Sequence, residues 1–223
     1  RWKLPATIER RDVGAVSRAE GWSVEDGARR VRYQFLLEVA QTQSASRIAL
    51  AHTADDQAET VLMRLMRGTG LWGLGAIPLT RPLDDARDVW VVRPLLEVWR
   101  RDLLAYLAHE RLTYREDPTN QDAKFVRNRI RHHLLPLLER DYNPNVKAAL
   151  TQLAEQCRGD AAYLQSAAAR QWRRVAKTAP LAQVAMAVAR FLRQPNALQR
   201  HLVRQAIQQV RGDLGQFEFR HWL

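Results

Sequence analysis

Two short apolar runs, residues 46–52 (SRIALAH) and 89–93 (VWVVR), limit what this 223-residue chain can fold into more than any other feature. Both are of strand length, and VWVVR is built from the β-branched and aromatic side chains that suit a pleated, half-buried surface. Helical patterns surround them. Ser23 is a good N-cap with Asp26 three residues on, and Val31, Phe35, Leu36 and Val39 follow at helical spacing, which predicts a helix over 23–41. Residues 54–67 place Val61, Leu62, Leu65 and Met66 on one face of a second, and 100–110 give a third. Strands that alternate with helices imply βαβ units and a parallel sheet. Two strands are too little sheet for a complete α/β domain.

From Phe125 onward strand signals nearly vanish. Residues 125–142 are Leu-rich and end at Asn143-Pro144, a helix-stopping turn, and helices are predicted over 146–177, 181–193 and 197–211 with breaks at Pro180 and Pro195-Asn196. The expected organisation is an α/β domain over 1–142 and an all-helical domain over 143–223. The last stretch, GQFEFRHWL, alternates like a strand. Charge follows the same division: residues 143–223 carry 12 Lys and Arg against 4 acids, out of a net +11 for the chain. Of the 35 basic residues 31 are Arg, whose planar fork grips phosphate oxygens in pairs, so a polyphosphate such as RNA fits better than a membrane surface. One cysteine excludes an internal disulfide or a CxxC metal knuckle, and no stretch has the length and apolarity of a membrane span, which leaves a cytoplasmic setting as the expectation.

The segment richest in chemistry is AHTADDQAET, residues 51–60. It lies beyond the carboxyl end of a strand and at the start of the next helix, where open α/β sheets place their ligands. Thr53 with Asp56 makes a capping box without any function. Capping does not account for His52, Asp55 and Glu59, and Asp56 and Glu59 at i, i+3 share a face. Both the structural and the catalytic reading stay open from the residues alone. GTGLWG, residues 68–73, matches G-x-G-x-x-G but follows a helix, so it reads as a flexible loop and a decoy. His132-His133 lacks partners at metal-ligand spacing, so no metal site is expected. In EDPTNQDAKFVRNRIR, residues 116–131, a DPTN turn leads into a helix start with Arg127, Asn128 and Arg131. Arg127 and Arg131 are like charges at i, i+4, which calls for an anion beside them; a solvated basic face is the alternative.

Taken in order, SVEDGARRVRY (23–33), AHTADDQAETVLMRLMRGTGLWGLGAI (51–77), VRPLLEVWRRDLLAYL (92–107), YREDPTN (114–120) and FVRNRIRHHLLPLLERDYNPNV (125–146) resemble the bacterial tRNA(Ile)-lysidine synthetase family. That family is a branch of the PP-loop ATP pyrophosphatases. The resemblance implies the C-terminal half of an adenine nucleotide alpha hydrolase-like α/β domain, followed by a helical tRNA-binding domain. It also implies a two-step reaction: ATP, with Mg2+, adenylates the C2 oxygen of the wobble cytidine in a CAU-anticodon tRNA(Ile), and the ε-amine of L-lysine then displaces AMP. Carried over by motif, His52, Asp55, Asp56 and Glu59 would form the lysine and cytidine pocket, while Arg32, Arg127, Asn128 and Arg131 would hold ATP phosphates. Arg170, Arg173, Arg174, Arg190 and Arg193 are the expected tRNA contacts. Trp172 reads first as core and second as a base-stacking platform. A homodimer is admitted, and no membrane partner is expected.

The family's SGG-x-DS nucleotide loop is absent from the sequence, and residues 2–13 look like the piece that follows the half containing it. The expectation is therefore a fragment, cut at both ends and inactive alone, with the function of its parent. Two alternatives compete. One is a non-catalytic, arginine-rich RNA-binding module; the other is a different PP-loop tRNA-modifying enzyme, one that thiolates tRNA, for which the lone Cys157 is a poor fit.

Overall fold

The computed structural model describes residues 4–84, 88–115, 122, 124–179 and 183–211. The chain divides into two compact units, Arg1–His52 with Pro78–Glu97 and Thr53–Ile77 with Val98–Leu223. The division expected near Tyr142 instead falls inside the second unit.

In the first unit, helices α1 (Val13–Glu20) and α2 (Val24–Thr42) pack together. Asp12 caps α1 and Ser23 caps α2, each side chain accepting from the backbone N–H three residues on. Gly27 is required where the helices touch, because a Cβ there would lie 1.9 Å from Ser17 Oγ. The sheet has the order β1 (Arg47–Ala49), β3 (Val89–Val92), β2 (Thr80–Asp84). β1 runs parallel to β3 with Ile48 opposite Val91, as the alternation of strands and helices predicted. β2 runs antiparallel to β3, so the sheet is mixed where a parallel one was expected. Pro82 and the charges of TRPLD hid β2 from the sequence, and an edge strand tolerates both. Leu36, Leu37 and Ala40 of α2 pack on Ile48, Val89 and Leu83 to form this unit's core.

The second unit is built on the 30-residue helix α8 (Val146–Val175), against which α3 (Ala54–Met66), the single turn α4 (Leu71–Leu74), α7 (Leu135–Asp141) and α10 (Asn196–Arg211) pack. α5 (Arg100–His109) also belongs here. Between α6 (Val126–Arg129) and α7 the helix widens into a π turn, Ile130–Leu134. There Leu135 N–H donates to the Ile130 carbonyl, an i to i+5 bond. Five residues advance roughly 500° on an α-helix, which would point Ile130 and Leu135 apart. The π turn brings both into one core with Ala58, Val61, Leu62, Leu150 and Ala154. Pro136, which lacks an N–H to continue the ladder, follows immediately.

The region beyond 143 is not all-helical. β4 (Ala176–Ala179) and β5 (Gln183–Met186) form an antiparallel hairpin, and the helix expected over 181–193 shrinks to α9 (Val188–Leu192). AKTA and QVAM hold one β-branched residue each, and it is pairing with each other that selects the extended form. The DPTN turn, Pro180 and the strand-like GQFEFRHWL lie outside the described residues. Among those described, no helix is long and apolar enough to cross a membrane.

The π turn makes a direct test of this packing. Leu135 is buried to 1% exposure, so Leu135→Ala is expected to destabilise the chain by about 2–5 kcal/mol in urea denaturation. A cost near zero would mean that the π turn does not lock the core.

Candidate functional site

α3 starts as the sequence prescribed. Thr53 caps it, Asp56 Oδ2 accepts from Thr53 N–H at 2.8 Å, and the reciprocal bond from Asp56 N–H to Thr53 Oγ1 completes a capping box. The two acids beside that cap go separate ways. Asp55 Oδ2 accepts from the Arg100 backbone N–H at 2.8 Å, at the start of α5, and Lys147 Nζ lies 3.6 Å from its other oxygen. Asp55 is thus committed to joining α3 to α5 and α8.

Asp56 and Glu59 face the helix that carries Arg127 and Arg131, and the four side chains form one ion cluster. Arg131 takes Glu59 with two bonds, Nε to Oε1 at 2.5 Å and Nη2 to Oε2 at 3.0 Å. Arg127 Nε donates to Glu59 Oε2 at 2.8 Å, and both Arg127 Nη2 and Arg131 Nη2 reach Asp56 Oδ1 at 3.1 Å. Glu59 is 1% exposed, and two guanidiniums meet it there. Burial opposes the charge on Arg131, but its bond to Glu59 and the charges of Glu59, Asp56 and Asp55 outweigh it and raise its pKa. The anion demanded by two arginines at i, i+4 is the chain's own. Asn128, between them, is buried and donates to the Asp122 carbonyl at 2.9 Å.

His52, half-buried just after β1, and Arg32, exposed on α2, belong to the first unit. Arg32 joins a group that sequence reasoning missed: the guanidiniums of Arg29, Arg32 and Arg81 lie 5.8, 5.7 and 4.7 Å from the centre of the Tyr33 ring. Burial pushes the Tyr33 phenol up, yet bonds and charges from Arg81 and Arg93 bring it below the ordinary tyrosine range. Arg93 is buried and donates to the Pro78 carbonyl at 2.7 Å; burial lowers its pKa against the support of Tyr33. The run RRVRY, residues 29–33, gave no signal that β2 would bring Arg81 to Tyr33.

The residues singled out for RNA are all exposed: Arg170, Arg173 and Arg174 on α8, Arg190 on α9 and Arg193 just beyond it. Trp172 packs on Ala168, Val175 and Leu202, which makes it core. The glycine segment after α3 is pinned. Gln57 makes a two-way amide pair with the backbone of Ile77 (2.9 and 2.7 Å), Arg64 donates to the carbonyls of Gly73 and Ala76, and Arg158 donates to that of Gly75. A loop of this kind was expected to be free; three buried or half-buried side chains of α3 and α8 fix it. No group of three or more His, Cys, Asp or Glu placed to hold a metal ion occurs among the described residues.

Residues 1–138 match a family described as the PP-loop domain. The chain is 40% identical over 220 residues to the tRNA(Ile)-lysidine synthase of Geobacter sulfurreducens, a match that covers 99% of the chain and 45% of the relative. It is 38% identical to the protein of that name from Nostoc sp. (87% of the chain, 59% of the relative) and 34% identical to that from Clostridioides difficile (91% and 42%). The chain spans about half the length of the curated relatives it matches.

The coupling inside the ion cluster is measurable. Glu59→Gln leaves two guanidiniums without their buried counter-charge and is expected to destabilise the chain by about 3–5 kcal/mol. In a cycle with Arg131→Gln, urea denaturation should show the second substitution costing at least about 1 kcal/mol less in the Glu59→Gln background. Additive costs would show that the pair does not act as a unit.

Proposed function

The chain belongs to the PP-loop domain family, and on that premise we propose that the protein carrying it is a tRNA(Ile)-lysidine synthase. The observation that carries this reading is 34–40% identity, over most of the chain, to proteins of that name. Its reaction would join L-lysine to C2 of the wobble cytidine in a CAU-anticodon tRNA(Ile). The cytidine C2 oxygen attacks the α-phosphate of ATP and pyrophosphate leaves; the lysine ε-amine then attacks C2 and AMP leaves. Magnesium enters with ATP, as part of that substrate.

The geometry supports distinct roles. Arg127 and Arg131 are already charged, oriented and held by Glu59, while the Nη1 groups of both remain outside the bonds that tie the cluster together. Those donors suit the oxygens of a polyphosphate whose charge grows as pyrophosphate leaves. Arg32, in the arginine group around Tyr33, suits the same task in the first unit. Asp56 is the more accessible of the two cluster acids and the better partner for a lysine ammonium, whose amine must lose a proton before it attacks. His52 is proposed to contact the cytidine. Asn128 sets the helix start, and Glu59 acts as a positioning residue. The exposed arginines of 143–223 suit a tRNA backbone, and the setting that goes with such a substrate is the cytoplasm.

One observation favours a second reading. The carboxylates of Asp56 and Glu59 are neutralised by the chain's own arginines, as a purely structural cluster would be, and that suits a non-catalytic RNA-binding module. Cysteine-dependent tRNA modification fits less well: Cys157 is buried in α8, and burial together with Asp160 pushes its thiol up.

The test uses the full-length protein, CAU-anticodon tRNA(Ile), ATP and radiolabelled lysine. ATP-dependent incorporation into tRNA is expected, with Asp56→Asn and Arg127→Gln each lowering kcat/KM by about a hundredfold or more while tRNA affinity changes little. No incorporation by the wild-type protein, with tRNA binding intact, would leave the binding module.

A further inference from the structure

Two groups of arginines among the described residues of the second unit have different surroundings. In the Asp56 and Glu59 cluster every guanidinium meets a carboxylate. In the other, a cavity of about 650 Å³ between the glycine segment and α8 and α10, the lining includes Arg64, Arg67, Arg200 and Arg204 and, among the described residues, no acid. Arg204 is half-buried, sits 4.8 Å from the centre of the Trp72 ring and has no ion pair among the described residues. Burial lowers its pKa. The same burial, with the charge of Arg204, lowers that of His201. A half-buried cation left without an anion is unfavourable unless a ligand supplies one.

The walls of this cavity are fixed in advance. The Trp72 indole, which can only donate, gives its N–H to His201 Nδ1 at 3.3 Å, so the neutral imidazole carries its proton on Nε2 and is a donor there. Arg64 ties the rim down through the carbonyls of Gly73 and Ala76. Gly68 adopts a left-handed φ of 73°, and a Cβ at Gly68 or Gly70 would meet nothing within 4 Å, so the rim is open to an approaching ligand. The volume lies in the range of sites that take a nucleotide-sized group. The guanidiniums of Arg67 and Arg204, beside an indole and an imidazole, are the chemistry of a phosphate attached to a nucleoside.

We infer that this cavity is a binding site for a phosphodiester of an RNA backbone, with Arg67 and Arg204 as its principal anion contacts. RNA is favoured over a free nucleotide because the cavity's α8 and α10 walls belong to the most basic third of the sequence, where exposed arginines continue along α8 and α9. It is favoured over an acidic peptide because of the two aromatic rings. The inference rests on the RNA-binding part of the proposed function and not on lysine transfer.

The experiment is fluorescence anisotropy of the 223-residue chain with a fluorescein-labelled 17-nucleotide RNA stem-loop bearing CAU, across a series of KCl concentrations. Arg67→Glu, on the surface, and Gly70→Trp, at a backbone position whose φ accepts any residue, fill or reverse the site without touching the core. Arg204→Gln tests the inner contact. Each is expected to weaken binding about tenfold or more, and the two arginine variants to lower the salt slope by about one or more. Arg101→Glu, equally exposed on α5, should change affinity less than about threefold. Wild-type affinity in both Arg67→Glu and Gly70→Trp would overturn the inference, as would specific displacement of the RNA by ATP or by octaglutamate that these variants abolish. A second stem-loop of unrelated loop sequence separates the two readings. Equal losses with both RNAs support the phosphate site even if the full-length protein transfers no lysine.

Discussion

Desolvating a carboxylate as completely as Glu59 is desolvated costs several kcal/mol, and the charge persists only where cations meet it in hydrogen-bonding geometry. That requirement fixes α3 against the helix of Arg127 and Arg131 at a set rotation and height. Because Ala58, Val61 and Leu62 lie on neighbouring positions of α3, the same rotation decides which faces enter the core. The π turn follows from it. Two arginines must point at Glu59 while Ile130 and Leu135 point at Val61, Leu150 and Ala154, and a regular helix does not satisfy both. Capping at Thr53, the cluster and the widened turn are therefore one solution to one constraint.

Much of this was legible in the sequence because local rules and the fold agree. The caps at Ser23 and Thr53, the helix boundaries of α2, α3, α5 and α8, and the two strands of VWVVR and SRIALAH follow from periodicity and side-chain chemistry within a few residues. Where the sequence misled, the deciding partner is distant. β2 carries a proline and three charged or polar residues, and only its edge position beside β3 makes it a strand. AKTA and QVAM are strands because they find each other. The acids of residues 51–60 looked like ligand groups because their counter-ions lie about 70 residues on; the rule that like charges at i, i+4 need an anion pointed to them from the other side, without saying that the anion was internal.

The glycine segment shows the same limit in a different form. Its G-x-G-x-x-G spacing failed the context test for a dinucleotide loop, and the structure agrees that no strand precedes it: α3 does. What spacing did not convey is that Gln57, Arg64 and Arg158 bind its carbonyls and amides, so a stretch of four glycines holds one shape. Side chain to backbone bonds of this kind have no local signature. They nonetheless explain why so much glycine is tolerated, since each fixed carbonyl offsets part of the ordering entropy that glycine adds.

The neutrality of the ion cluster bears on how the proposed chemistry would run. An ammonium entering beside Asp56 competes with two guanidiniums, and a polyphosphate entering beside Arg127 and Arg131 competes with two carboxylates. Asp56 takes an ammonium only by releasing a guanidinium, whereas the Nη1 groups of Arg127 and Arg131 let a polyphosphate engage before any cluster bond is given up. Together they would exchange partners: phosphate oxygens draw on the arginines as the ammonium takes over the carboxylate they release, so that each charge of the cluster keeps a counter-charge. Binding of the two would then be coupled through the exchanged partners, each raising the other's affinity by the same factor. A cluster saturated by its own arginines in the free protein is, on this argument, what a site for one anionic and one cationic substrate requires.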